Sequence, residues 1–147
     1  MVMKEGACRF GLWWVHVTWN NDTVYRVRFK PQGEDSPIPL PIRRYLRGKT
    51  ADLTEIKTVA TEEGAPFYQI YRAVQDVPYG STCTYGDIAS ACGTSARVVG
   101  TAMKRNPTPL IVPCHRIVSS SGIGGFTPDV EIKKSLQKLE WGNITNR

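Results

Sequence analysis

Between Thr23 and Lys30 the chain alternates, with Tyr25, Val27 and Phe29 on one side and Arg26, Arg28 and Lys30 on the other. Period-two alternation predicts a half-buried β-strand. Before it, residues 9–19 (Arg-Phe-Gly-Leu-Trp-Trp-Val-His-Val-Thr-Trp) concentrate aromatic and β-branched side chains and predict another strand. Asn20-Asn21-Asp22 is a turn signal, so the two strands predict a hairpin. From Pro31 to Pro41, four prolines and Gly33 predict a loop. A short helix over Ile42 to Arg47, stopped at Gly48, and a third short strand over Lys57 to Ala60 complete this part.

Near Glu62-Glu63-Gly64 the pattern changes from β to α, which places a boundary between an N-terminal domain, 1–62, and a C-terminal domain, 63–147. Phe67, Ile70, Tyr71, Val74 and Val77 recur at helical spacing, and Pro78-Tyr79-Gly80 ends that helix. Thr84 followed by Asp87 reads as a capping box for a helix over Tyr85 to Ala91, stopped at Cys92-Gly93. Thr94 or Ser95 caps a third helix running to about Arg105, which Pro107 closes. The apolar run Leu110 to Val112 predicts an extended segment continuing through Pro113-Cys114-His115-Arg116 to Ile117-Val118. Ser119 to Phe126 is a loop, and a last helix runs from near Asp129 to Trp141 with Ile132, Leu136 and Leu139 on one face.

Composition changes this picture little. Of 147 residues, 41% are hydrophobic and 22% charged, as in ordinary globular proteins. No apolar stretch reaches the roughly 18–20 residues that cross a bilayer, and Met1-Val-Met-Lys-Glu-Gly does not read as a signal peptide. A cytoplasmic protein without a membrane partner is expected. The net charge of +6 is spread over both halves and favours polyanions without naming one. Two short helices around Gly93 fit a helix-turn-helix as well as an ordinary helical hairpin. Arg97, Lys104 and Arg105 on the second helix, with no acid among them, weigh towards nucleic acid.

The cysteines Cys8, Cys83, Cys92 and Cys114 form no Cys-x-x-Cys pair, and His16 and His115 add no zinc-finger spacing, so no metal is expected. Cys8 and Cys92 read as core residues; Cys83 fits either a strand or the start of a helix. Cys114 differs because His115 and Arg116 follow it at once. Nearby positive charge favours the thiolate, the reactive form. In an extended segment, however, neighbouring side chains diverge, so His115 reaches the thiol only through a bridging water or a turned backbone. An imidazole acting as base needs an orienting acid, and Asp129, Glu131 and Glu140 are the candidates. A bare Cys-His pair is more often a buried thiol beside a surface histidine. Here Asn106, Pro107, Pro109 and Pro113 precede it and Gly122, Gly124 and Gly125 follow, as in a shaped loop.

Arg105-Asn106-Pro107-Thr108-Pro109-Leu110-Ile111-Val112-Pro113-Cys114-His115-Arg116-Ile117 resembles the active-site signature of the O6-alkylguanine-DNA alkyltransferases, or methylated-DNA–protein-cysteine methyltransferases. The likeness extends back through Thr84-Tyr85-Gly86-Asp87-Ile88-Ala89 and Ala96-Arg97-Val98-Val99-Gly100, and forward to Lys133 and Glu140. It covers about residues 64–141, whereas the N-terminal half shares only a strand-strand-helix plan. Phe126 stands where many members have tyrosine, and Pro128 where glycine is common.

The resemblance implies an α+β protein: a small N-terminal antiparallel sheet domain, ribonuclease H-like, and a C-terminal winged-helix or helix-turn-helix domain. It implies a cofactor-free monomer that takes the alkyl group from O6-alkylguanine, and possibly O4-alkylthymine, in double-stranded DNA onto its own cysteine, once, after flipping the base. Cys114 would be the acceptor, His115 its base through a water, and Glu140 the acid that orients His115. Tyr85 would donate to the guanine, and Asn106 would tie the turn before the cysteine. Arg97 would fill the gap in the stack, with Gly86, Ser120, Arg116 and Thr127 as further DNA-contacting residues. The alternatives are an alkyltransferase-like DNA binder without transfer, which normally lacks the cysteine, and a helix-turn-helix regulator, which leaves Pro-Cys-His-Arg unexplained.

Overall fold

The strand expected over residues 9–19 is broken by a turn. In the computed structural model, which describes residues 2–50, 53 and 55–145 apart from the Thr145 side chain, β1 spans Lys4–Phe10 and β2 spans Trp13–Asn20. They pair antiparallel across Gly11 and Leu12. Gly11 has φ +61°, a left-handed conformation that costs glycine nothing and closes a tight hairpin. The apolar residues on both sides of it hid the turn, and Leu12 at the tip is 83% exposed.

β3 spans Thr23–Lys30, as the alternation predicts. Its pairing with β2 slips between Thr18 and Trp19: Trp19 faces Val24, Thr18 faces Arg26, and Tyr25 is the extra residue of a bulge. The bulge reverses the side-chain parity. Val24 therefore joins Val27 and Phe29 in the core, and Tyr25, expected on their face, is only half-buried. β4, Lys57–Thr58, runs parallel to β3 at Thr23 and Val24, and the strand expected to continue to Ala60 becomes a 3-10 turn, Val59–Thr61. Among the described residues the β3 edge from Tyr25 to Lys30 meets no further strand. There the Val27 N–H donates to the Pro107 carbonyl at 2.9 Å.

The helices are α1 (Leu40–Leu46), α2 (Tyr68–Gln75), α3 (Tyr85–Cys92), α4 (Ala96–Lys104) and α5 (Val130–Thr145), the last one turn longer than expected. Thr84 and Asp87 form the capping box, each accepting the other's backbone N–H at 3.0 Å. Ser95, not Thr94, caps α4 by accepting the Val98 N–H at 3.2 Å. Cys83 lies in a strand: β5, Cys83–Thr84, pairs parallel with β6, Ile117–Val118.

Two apolar clusters meet at the segment before β6. In one, the inner face of the sheet (Val15, Val17, Val24, Val27) packs with Ile42 and Tyr45 of α1, Ile132 and Leu136 of α5, and Leu110 and Ile111. In the other, α2, α3 and α4 close over Tyr71, Val74, Ile88, Val99 and Ala102, together with Val112 and Ile117. The chain from 110 to 117 thus runs along the seam, held from both sides. The change of pattern near residues 62–64 falls between the 3-10 turn and α2.

Candidate active site

Asn106, just past α4, ties the approach to the cysteine. Its Nδ2 donates to the Val112 carbonyl at 2.9 Å, and its Oδ1 accepts the Thr108 N–H at 3.0 Å. Inside that clamp Leu110 is held at φ +80°, a left-handed conformation that costs a branched residue about 1–2 kcal/mol. Cys114–Arg116 then form one 3-10 turn rather than the extended chain expected there. The Arg116 N–H closing on the Pro113 carbonyl at 2.9 Å defines it. With about three residues per turn, Cys114, His115 and Arg116 point in three directions instead of alternating between two.

His115 is fully buried and Glu140 is 1% exposed. His115 Nε2 lies 2.6 Å from Glu140 Oε2. Of the three candidate acids, Glu140 is thus the partner. That contact places the proton on Nε2 and leaves Nδ1, which is buried without a hydrogen-bond partner, as the bare lone pair. Burial pushes the imidazole down, against the upward pull of Glu140, so the ring is neutral at physiological pH. Burial also works against the Glu140 charge, but the bonds and charges of His115 and Arg116 hold its carboxyl far below the usual range.

Arg116, expected among the DNA-contacting residues, is not on the surface. It is 5% exposed, its Nε and Nη2 donate to Glu140 at 3.0 Å, and its Nη1 donates to the Val77 carbonyl at 2.9 Å. A buried guanidinium needs a carboxylate, and that partner takes it away from solvent.

Two residues that the sequence left without an assigned part also stand here. Tyr45 of α1 is 1% exposed; its hydroxyl donates to Glu140 Oε2 and lies 3.1 Å from His115 Nε2. Burial and the adjacent Glu140 charge push its phenol well above the usual range, which makes it a permanent donor. Lys133 of α5 is also buried, donating from Nζ to the Ile117 carbonyl at 2.5 Å and the Gly125 carbonyl at 3.2 Å. Burial pushes its ammonium down to about 8. Lys133 was legible in principle, since it precedes Leu136 by three residues and Glu140 by seven, on the inward face of α5. Tyr45 was not, being 70 residues from His115.

Cys114 is 7% exposed and opens onto a cleft of about 660 Å³. Burial pushes its thiol up, opposed by the Asn106 side chain and the Lys133 charge. Tyr85 lines the same cleft, with the Lys133 ammonium 5.7 Å from its ring centre. Gly124, at φ +79°, makes that approach possible: a Cβ there would stand 2.8 Å from the Tyr85 hydroxyl. Arg97 and Lys104 of α4 form one wall, while Phe126, Thr127 and Pro128 stand at the rim. Phe126 is anchored edge-on against Phe29 of β3 at 5.7 Å.

The predicted residues therefore divide. Cys114, Asn106, Tyr85, Arg97 and Thr127 line the cleft, while His115, next to the cysteine in the chain turn, and Glu140 of α5 lie buried. Gly86 and Ser120 are exposed outside it, just beyond the ends of the paired strands β5 and β6. Among the described residues no group of three or more His, Cys, Asp or Glu could hold a metal ion. No helix among them is long and apolar enough to cross a membrane.

Residues 66–141 match the family model described as 6-O-methylguanine DNA methyltransferase, DNA binding domain. A methylated-DNA–protein-cysteine methyltransferase of Methanopyrus kandleri is 40% identical over 99 residues, 67% of this chain and 75% of its own. A protein of the same name from Thermococcus kodakarensis is 39% identical over 109 residues, 73% of this chain and 63% of its own. Among solved structures, Mycobacterium tuberculosis OGT in complex with DNA aligns at a TM-score of 0.78 and 25% identity, covering 93% of this chain and 92% of that one. The O6-methylguanine-DNA methyltransferase of Pyrococcus kodakaraensis aligns at 0.69 and 27% identity, covering 95% and 99%.

Proposed function

The chain belongs to the 6-O-methylguanine DNA methyltransferase family, and we propose that it moves the alkyl group of O6-alkylguanine in duplex DNA onto Cys114 Sγ. The observation that carries this reading is a buried cysteine at the floor of a basic cleft, followed directly by a buried His115–Glu140 pair. Burial holds the thiol protonated, so a base is needed, and Nδ1 of His115 is the available lone pair. The thiol proton passes to Nδ1 through a bridging water while Glu140 stabilises the imidazolium. The thiolate then attacks the alkyl carbon. A C–S bond forms, the C–O6 bond breaks, and its electron pair leaves with the guanine.

Tyr85 donates to the departing base, stabilising charge that exists only as the bond breaks. A stacked base cannot bring its alkyl carbon to a thiol 7% exposed at the bottom of a cleft. The nucleotide is therefore extruded, at a cost of a few kcal/mol that Arg97 partly offsets by filling the gap. Thr127 stands at the rim near the alkylated oxygen, and Gly86 and Ser120 carry backbone phosphates. O4-alkylthymine presents the same kind of alkyl-oxygen bond and is a second substrate. The step balances in atoms and electrons without a cofactor, and the thioether ends the reaction after one event per chain. The protein acts as a cytoplasmic monomer.

Intact-mass measurement after mixing with a duplex carrying one O6-methylguanine tests this. One added methyl per chain is expected, on the peptide containing Cys114. An unchanged mass, or an equal gain in Cys114→Ala, contradicts the reading.

A further inference from the structure

The solvent face of β3 carries three exposed cations in succession, Arg26, Arg28 and Lys30. Alternate residues on a strand stand roughly 6.6 Å apart, so these like charges repel one another. Among the described residues none of them is in an ion pair. The location of that row is more informative than its charge. Arg28 and Lys30 line the cleft that holds Cys114, and they also line a second hollow of about 420 Å³ on the outer face of the sheet. They form the ridge between the two. Arg97 and Lys104 of α4 line the same cleft, and the β3 edge is free of strand pairing where the ridge runs.

We propose that β3 is a second phosphate-binding element: Arg28 and Lys30 hold backbone phosphates of the strand that carries the guanine entering the cleft. This rests on the alkyl-transfer reading above. The strand delivering its base to Cys114 must cross the mouth of the cleft, and cations held by α4 and β3 then meet its backbone from two separate elements. Glu5 and Glu34, which line the outer hollow with His16 and Arg26, oppose a phosphate path further out. The DNA is thus held at the ridge alone on this side. Phosphate binding of this kind fixes position without reading sequence, as a search for damage requires.

The test is the salt dependence of binding to a duplex with one O6-methylguanine, followed by fluorescence anisotropy. Each phosphate that the protein no longer neutralises lowers the slope of log affinity against log salt by about 0.9. R28Q/K30Q is expected to lower it by about 1–2 and to weaken low-salt binding roughly ten-fold. R28K/K30R, which keeps the charges, is expected to behave as wild type. K4Q/R44Q removes the same charge from exposed positions that do not line the cleft and is expected to change the slope by much less. Equal effects of R28Q/K30Q and K4Q/R44Q, or no effect of R28Q/K30Q, overturn the proposal while the alkyl-transfer reading stands. A wild-type chain that neither binds the duplex nor gains a methyl overturns both.

Discussion

Glu140 receives hydrogen bonds from His115, Tyr45, Arg116 and the Gly80 N–H, the last at 2.9 Å, so few of its acceptor positions are spare. Tyr45 acts in this group as a positioning residue, through the carboxylate rather than on the substrate. Its hydroxyl draws charge from Glu140, which leaves the imidazolium of His115 less strongly stabilised than an undivided carboxylate would. Tyr45→Phe is expected to raise the pKa of His115 and so to move the acid limb of the transfer rate to higher pH. A rate profile across pH 5 to 8 checks this. An unshifted acid limb leaves Tyr45 a packing residue. At this scale the sequence exposed Cys114, His115 and Asn106 through their neighbours in the chain. It concealed the burial of Arg116, because a cation beside a reactive thiol looks like a surface residue until its carboxylate is located in space.

Among the elements, those closed by local chemistry were legible. The Thr84–Asp87 capping box and the Ser95 cap are settled within three residues, and both are present in the fold. Those set by pairing were not. Period two cannot reveal that Tyr25 is an extra residue, nor that Gly11 divides an aromatic run, because each depends on the partner strand. The 3-10 turn at Cys114 was hidden likewise, since the Asn106 clamp and packing from two clusters shape it. That turn has little slack. A methyl group added to Cys114 has to fit where the side chain is already 7% exposed, and overpacking of this kind costs about 1–3 kcal/mol. The methylated protein is expected to melt several degrees below the unmodified one. Differential scanning calorimetry of the two forms checks this, and an unchanged melting temperature contradicts it.

For the whole molecule, the buried group at Glu140 joins α1, the cysteine turn and α5, and its ionisation is coupled to folding. The His115 imidazole lies below its ordinary value in the folded chain, so the unfolded chain binds a proton first as the pH falls through about 6.5. Glu140, also held below its ordinary value, stabilises the fold above about pH 4.3 and loses that contribution as the pH drops further. Both signs agree. Stability is expected to decline from about pH 6.5 and more steeply below about 4.3. Glu140→Gln should lose the steep limb, while its lone buried Arg116 costs about 3–5 kcal/mol at neutral pH. Urea unfolding at stepped pH measures both.

The seam along residues 110–117 has a consequence for inheritance. Every residue that marks the chemistry in the sequence lies beyond residue 84, so that stretch looks like a part that recombination could lend to another protein. Yet Leu110, Ile111, Ile132 and Leu136 are covered by the sheet and α1, and Glu140 accepts a hydrogen bond from Tyr45 of α1. Transplanted alone, the stretch would carry the signature while leaving behind much of the packing that holds it. The poorly marked N-terminal half should therefore travel with it, free to change its sequence provided it still covers that seam and keeps a donor for Glu140 at Tyr45.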